Sequence, residues 1–290
     1  CLNGVLSGLS TPGCSMKVFI AMGVLDQGVI EPNKQILSTR SITIPNPYFP
    51  DKPSVFMDWK AHGLVDLRRA IAVSSNVYFY EVGGGYQGQK GIGIDNIEKY
   101  SRLFGFGSTT EVYFPGEENG TIPNPAWKNL MFNGENWRVG DTYNTSIGQY
   151  GFQVTPIQVV RAVSALANEG TLVVPTFIKG SSPQVAGTIS LSPSYYTIVK
   201  EGMRQGVTSG TSAPLNFPFM EIASKTGTAQ INVMKDGVNS WVVGFWPYKN
   251  PKYAYAVVME KGSRGNQFSA TLVMQDFFNW MSINAPEYLN

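Results

Sequence analysis

Histidine and cysteine are almost absent: the 290 residues include one histidine, His62, and two cysteines, Cys1 and Cys14. A closed zinc site needs three or four such ligands unless carboxylates fill in, so no structural metal is expected and no cofactor is implied. A Ser-His-Asp triad would have to use His62, yet no Gly-x-Ser-x-Gly elbow occurs. His62 lies in Trp59-Lys60-Ala61-His62-Gly63, just ahead of a helix, and reads as a structural hydrogen-bonding residue. Charge is also scarce. Asp, Glu, Lys and Arg make up 14% of the chain and the formal net charge is +2, which excludes an electrostatic nucleic-acid footprint. A hydrophobic fraction of 43% excludes disorder. No apolar run is long enough to cross a bilayer, and the start, Cys1-Leu2-Asn3-Gly4, lacks the charged and apolar regions of a signal peptide. Neither internal repeats nor low-complexity segments occur.

What is present predicts helices first and strands last. After Pro12-Gly13, the run from Cys14 to Leu25 spaces Val18, Ala21, Met22 and Leu25 by three and four, predicting a helix with one buried face that Gly28 ends. Residues 29–58 hold Pro45, Pro47, Pro50 and Pro53 and predict extended loop with short strands. Val65 to Val73 predicts a helix leading into Ser74-Ser75-Asn76, and a second helix runs through Tyr80 to the glycines at 83 to 85. Short helical pieces such as Ile94 to Phe104 alternate with proline loops as far as residue 155. Pro156 to Asn168 has proline in its first turn, Val159, Val160, Val163 and Leu166 on one side, and Gly170 placed to end it. Glu221 to Gln230, Ser240 to Trp246 and Tyr253 to Glu260 are β-branched and aromatic runs separated by turn residues, and a closing helix spans Gln267 to Met281. Helices before and after a strand meander predict a mixed α/β (α+β) domain with helices on an antiparallel sheet.

Three short motifs carry chemistry. Cys14-Ser15-Met16-Lys17 puts a thiol and an ammonium three residues apart at the start of a helix, on one face, where nucleophile and base can meet. The helix N-terminus and Lys17 both favour a thiolate at Cys14. Such a pattern also arises by chance about once in a chain this long, so alone it reads as structural. Ser74-Ser75-Asn76 places a hydroxyl and an amide on the turn between two helices, where capping alone would explain them. Lys225-Thr226-Gly227-Thr228 lies in a strand in which Gly227 lets another backbone approach.

Together and in this order, the three resemble the S-x-x-K, S-D-N and K-T-G set of penicillin-binding proteins and serine β-lactamases. The flanks Thr11-Pro12-Gly13, Val77-Tyr78-Phe79-Tyr80 and Ala229-Gln230 are similar to the class B penicillin-binding proteins. So are Gly140-Asp141-Thr142-Tyr143-Asn144, Ser146-Ile147-Gly148-Gln149 and Thr155-Pro156-Ile157-Gln158, which resemble the cell-elongation members in particular. The resemblance covers nearly the whole of residues 1–290 and implies a five-stranded antiparallel sheet flanked by helices, and a peptidoglycan D,D-transpeptidase that β-lactams acylate. It implies Cys14 as nucleophile, Lys17 as its base, Ser74 as proton relay, Asn76 as ligand of the substrate amide, and Lys225, Thr226, Gly227 and Thr228 as the substrate-carboxylate strand. Backbone N–H groups of Cys14 and Thr228 would form the oxyanion hole. Peptidoglycan stem peptides would be the substrate. A SEDS-family glycosyltransferase and the elongation machinery would be partners, on the extracytoplasmic face of the membrane. A β-lactamase or D,D-carboxypeptidase and a non-catalytic β-lactam sensor are the alternatives.

Two departures stand out. Cys14 occupies the serine position, and Ser15 cannot replace it because two helical residues set it about 200° around from Lys17. Either a deliberate replacement or a natural thiol variant accounts for this. The family also has two strands, a pedestal and a membrane anchor upstream of the nucleophile helix, so the chain is expected to be N-terminally truncated. It is then not an autonomous folding unit, unless Ile36 to Ile44 or Leu172 to Ile178 completes the sheet.

Overall fold

The computed structural model describes residues 3–46, 49–230, 237–263 and 269–289. Its first half is helical with small hairpins between: α1 (Gly4–Ser7), a 3-10 turn at Gly13–Met16, α2 (Lys17–Asp26), β1 (Ile36–Ser38), β2 (Ser41–Ile44), β3 (Ser54–Met57), β4 (Gly63–Val65), α3 (Leu67–Val73), α4 (Asn76–Gly84) and α5 (Ile94–Leu103). There follow α6 (Pro125–Met131), α7 (Val139–Ser146), α8 (Pro156–Ala167), β5 (Thr171–Val174), β6 (Gln184–Thr188) and α9 (Pro193–Ser209). The chain then forms β7 (Ala223–Gln230), β8 (Gly237–Trp246), β9 (Tyr253–Ser263) and α10 (Ala270–Asn284).

The three strands predicted in the last third form one antiparallel sheet in the order β7-β8-β9, with Lys225 opposite Val243 and Thr228 opposite Ser240. The resemblance implies five strands, and among the described residues this sheet has three. Ile36 to Ile44 and Leu172 to Ile178 do not extend it. Their strands pair off elsewhere, as β1-β4, β2-β3 and β5-β6. Alternation along β9 splits the core into two layers. Ala254, Ala256 and Val258 face the large core that holds α2 and α8, whereas Tyr255, Val257 and Met259 pack with Met274, Phe278 and Met281 of α10.

Helix α2 departs from its predicted one-sided burial, because Lys17 through Leu25 are all buried. The sequence there is apolar nearly all round, the pattern of a helix enclosed by a core. Cys14 belongs to the 3-10 turn and not to the α-helix itself. Val65 pairs with Ile36 in a strand, and α3 starts at Leu67, where the Asp66 carboxylate accepts the Arg69 N–H at 2.8 Å. The clearest predicted helix, α8, is capped reciprocally by Thr155 and Gln158. The expected start of the closing helix at Gln267 lies outside the described residues, as do Pro47 and Cys1 to Leu2.

The longest helix, α9, was not predicted, since Gly202 and Gly206 weaken its propensity. Both serve packing. A Cβ at Gly202 would meet Ile71 of α3 at 3.0 Å, and one at Gly206 would meet the Ser224 carbonyl of β7 at 3.0 Å.

Candidate active site

The three motifs converge although long stretches of chain separate them. Gly13, at φ +54°, lets the 3-10 turn press on β7, for a Cβ there would stand 2.5 Å from the Thr228 carbonyl oxygen. Gly227 is the reciprocal gap. A Cβ on it would meet Pro12 O, Ser15 N and Trp241 Cβ, each at 3.0 Å. The close backbone approach read from the sequence at Gly227 is therefore made by the turn that carries Cys14.

Lys17 opens α2 and is fully buried, with three oxygens around its Nζ. It donates to Asn76 Oδ1 at 2.7 Å, to the Ser74 carbonyl at 2.8 Å and to Ser74 Oγ at 3.5 Å. The Cys14 thiol lies 3.6 Å from the same Asn76 oxygen. Lys225, 1% exposed, donates to Ser74 Oγ at 2.7 Å and to the Thr226 carbonyl at 2.6 Å. The Ser74 hydroxyl thus sits between two ammonium groups. Its backbone is left-handed, φ 57° and ψ 40°, where Ser74 ends α3 and Ser75 caps α4 by accepting the Tyr78 N–H at 3.0 Å. A non-glycine residue in that region costs about 1–2 kcal/mol and persists where neighbours over-determine it.

Electrostatics follow from burying two cations beside one thiol. Burial pushes the Cys14 thiol up, but the charges of Lys17 and Lys225 and hydrogen bonds from Ser74 and Lys17 outweigh it, and its pKa falls below the ordinary value. Burial brings Lys225 down to about 7; the Cys14 charge opposes this and the Lys17 charge adds to it. A thiol more readily ionised than an ordinary one and, near neutral pH, a partly neutral amine thus stand on either side of one serine hydroxyl.

A cleft of about 1170 Å³ opens above this cluster, lined by Cys14, Ser74, Asn76, Thr226, Gly227 and Thr228 and flanked by Trp59, Tyr150 and Trp241. Lys17 and Lys225 lie beneath its floor. All eight residues predicted for the site, Cys14, Lys17, Ser74, Asn76, Lys225, Thr226, Gly227 and Thr228, are therefore brought together. His62 lies outside the cleft; its N–H donates to the Ser38 carbonyl at 2.8 Å.

Thr211, at the edge of the cleft, was missed. Thr211 Oγ1 lies 2.6 Å from Thr226 Oγ1, and the Thr211 N–H donates to Ala72 O at 3.0 Å. It sits on the turn after α9, and without that helix nothing in Ser209-Gly210-Thr211-Ser212 distinguishes it from an ordinary loop.

A family model described as the penicillin binding protein transpeptidase domain matches residues 1–279. The chain is 31% identical over 306 residues to the peptidoglycan D,D-transpeptidase MrdA of Acinetobacter baumannii, covering 96% of this chain and 43% of that protein. Against the MrdA of Escherichia coli strain K12 the identity is 27% over 296 residues, covering 91% and 44%. The chain thus spans less than half the length of these curated relatives. Among solved structures it is similar to the penicillin-binding protein PBP2 of Helicobacter pylori, with a TM-score of 0.83, 29% identity, and coverage of 98% of this chain and 51% of that one. It is also similar to Pseudomonas aeruginosa PBP2 in complex with WCK 5153, with a TM-score of 0.82, 31% identity, and coverage of 97% and 63%. A further structure, at TM-score 0.80, is a complex of the Helicobacter pylori PBP2 with MreC, of which the chain covers 51% at 29% identity.

Proposed function

The chain belongs to the penicillin-binding protein transpeptidase-domain family, and from that premise we propose that it is a peptidoglycan D,D-transpeptidase of the elongation type with Cys14 as its nucleophile. The observation that carries the reading is the Ser74 hydroxyl held by Lys17 and Lys225 on the floor of the cleft that Cys14 lines. The Cys14 sulfur attacks the carbonyl of the penultimate D-alanine of a stem peptide. A C–S bond forms, the C–N bond to the terminal D-alanine breaks, and Ser74 relays a proton to the departing amine. An amine from a neighbouring strand then attacks the thioester, its C–N bond forms as the C–S bond breaks, and the proton returns through Ser74 to the lysines.

Each remaining residue has a role in this scheme. Lys17 takes the thiol proton. The N–H groups of Cys14 and Thr228 hold the oxyanion, donors worth about a hundredfold to a thousandfold each. The hydroxyls of Thr226 and Thr228, with Lys225 beneath, bind the terminal carboxylate. Asn76 Nδ2 donates to the Met57 carbonyl at 3.2 Å, and a substrate amide takes that place. Among the described residues β7 pairs only with β8, so its other edge is open for an extended peptide to add as a strand.

The enzyme works at the extracytoplasmic face of the membrane with the elongation machinery, a MreC-type partner and a SEDS-family glycosyltransferase. Among the described residues no helix is long and apolar enough to cross a membrane. The test is intact mass spectrometry after penicillin is added to the parent chain and to its C14S variant. C14S is expected to gain the mass of the drug stoichiometrically; no adduct on either protein overturns the reading.

A further inference from the structure

We propose that Asp58 is a positioning residue for this reaction: its buried carboxylate grips the start of α4 and thereby aims Asn76 and Ser74. The inference rests on the transpeptidase reading of the cleft. Asp58 is 4% exposed and directly follows β3, where its N–H donates to Arg40 O at 2.7 Å. Oδ2 accepts the N–H groups of Asn76 and Val77 at 2.8 and 3.0 Å and the Ser75 hydroxyl at 3.1 Å. Oδ1 accepts the Trp59 N–H at 2.8 Å. Ser38, itself fully buried, stands 2.7 Å from Ser75 Oγ. The Ser38 hydroxyl also donates to Asp58 Oδ2 at 3.4 Å and so joins the donors around that oxygen.

Capping alone does not require this arrangement. Ser75 already serves as the N-cap of α4, and a carboxylate buried with less than full hydrogen bonding would be destabilising. What the extra grip adds is orientation. Asn76 is held by its backbone N–H on Asp58 and by its side-chain Nδ2 on the adjacent Met57 carbonyl, so two consecutive residues fix both. The remaining atom of that amide, Oδ1, is then directed at Lys17 and Cys14. The same grip braces the left-handed Ser74 from its C-terminal side, while Lys17 holds its carbonyl.

A carboxylate is needed because an amide would turn one acceptor into a donor facing either the Trp59 N–H or the α4 N–H pair. Two titratable groups face it: Tyr80, whose hydroxyl donates to the adjacent Met57 carbonyl at 3.2 Å, and His62, whose Nε2 lies 3.5 Å from Oδ1. Burial outweighs the nearby Asp58 charge and keeps the His62 imidazole below the usual range, so it is neutral at pH 7 and leaves the carboxylate to the turn.

The test compares D58N, S38A and the parent by two readouts. Acylation by penicillin is followed to saturation in whichever background, parent or C14S, forms the adduct. D58N is expected to lower the limiting rate by about tenfold or more and to change the half-saturating concentration by less than about threefold. Because Asp58 acts through Asn76, D58N combined with N76A should lose no more than about threefold beyond N76A alone. The second readout needs no β-lactam: alkylation of Cys14 by iodoacetamide at pH 7 should slow by about threefold or more as Lys17 loses its anchor. If D58N does not fold, S38A, which removes one hydroxyl donor to Asp58 and leaves the carboxylate, carries both readouts at about threefold. Unchanged rates in a folded variant, or a loss fully additive with N76A, overturn the proposal. If neither background forms an adduct while alkylation slows as expected, Asp58 keeps its role and the transpeptidase reading falls.

Discussion

Lys225 Nζ donates to Ser74 Oγ at 2.7 Å, a hydrogen bond between residues 151 positions apart. It joins the sheet to the turn between α3 and α4 directly beneath the cleft. An ammonium in that position is buried at a cost, which its pKa of about 7 reflects. In the proposed reaction the arrangement serves chemistry more than stability. K225M in the C14S background is therefore expected to reduce penicillin acylation by about a hundredfold or more, the range for a lost proton-transfer partner. Its melting temperature should be unchanged or higher, since an apolar side chain of similar length fills the space. Adduct formation at close to the parental rate would remove Lys225 from the mechanism.

The same hydrogen bond marks the limit of what the sequence discloses. Motif spacing identified Ser74 and Lys225 separately, and local pattern placed one on a helix-to-helix turn and the other on a strand, both as found. Strands of β-branched residues and a proline-led, glycine-ended helix are local signals, and β7, β8, β9 and α8 were legible for that reason. Helix α9 was not, because its glycines are chosen for close approach to α3 and β7, a tertiary requirement that overrides propensity. Thr211 disappeared with it. Asp58 was unreadable for a different reason: an aspartate in a proline-rich loop looks like any turn residue until α4 is folded against it.

The thiol is depressed by two cations, with Lys17 the larger influence and Lys225 the smaller. Removing Lys17 leaves the opposing effect of burial in place, so K17A is expected to raise the Cys14 pKa, and K225M to raise it by less. Iodoacetamide alkylation as a function of pH, with the carbamidomethyl adduct on Cys14 read by peptide mass, measures the midpoint. A K17A midpoint equal to or below that of the parent would contradict the contact through Asn76.

Gly227 is placed for its missing side chain. A methyl group there would press on Pro12 O, Ser15 N and Trp241 Cβ, each at 3.0 Å, and two of these are backbone atoms that cannot rotate away. G227A is expected to destabilise the protein by about 1–3 kcal/mol, the usual cost of overpacking. It should also slow acylation, because relief comes only by moving the turn that carries Cys14 off the strand. Chemical denaturation and adduct kinetics on the one variant report both effects, and a fully stable, fully active G227A would show that the turn and strand do not pack this closely.

Stability should rise with pH on account of Lys225. Its folded pKa is about 7, whereas an unfolded lysine titrates near about 10.4. Between those values the unfolded chain holds a proton that the folded chain has released, so the folded state gains as pH rises. Other shifted groups change stability little over pH 7.5–8.5: Glu81, raised by burial to about 7, makes stability vary with pH only below that window, and the buried tyrosines, such as Tyr100 raised to about 12, weaken the fold only as their unfolded counterparts ionise nearer about pH 10. The Cys14 thiol, depressed in the fold, acts in the same direction as Lys225. Measuring in C14S isolates the lysine, and loss of the sulfur's charge lowers the Lys225 pKa further without moving it into the window. Urea denaturation of C14S at pH 7.5, 8.0 and 8.5 should therefore show stability climbing by up to about 1.4 kcal/mol per pH unit. In C14S combined with K225M the slope should vanish, and a slope that survives there would assign the effect to another group.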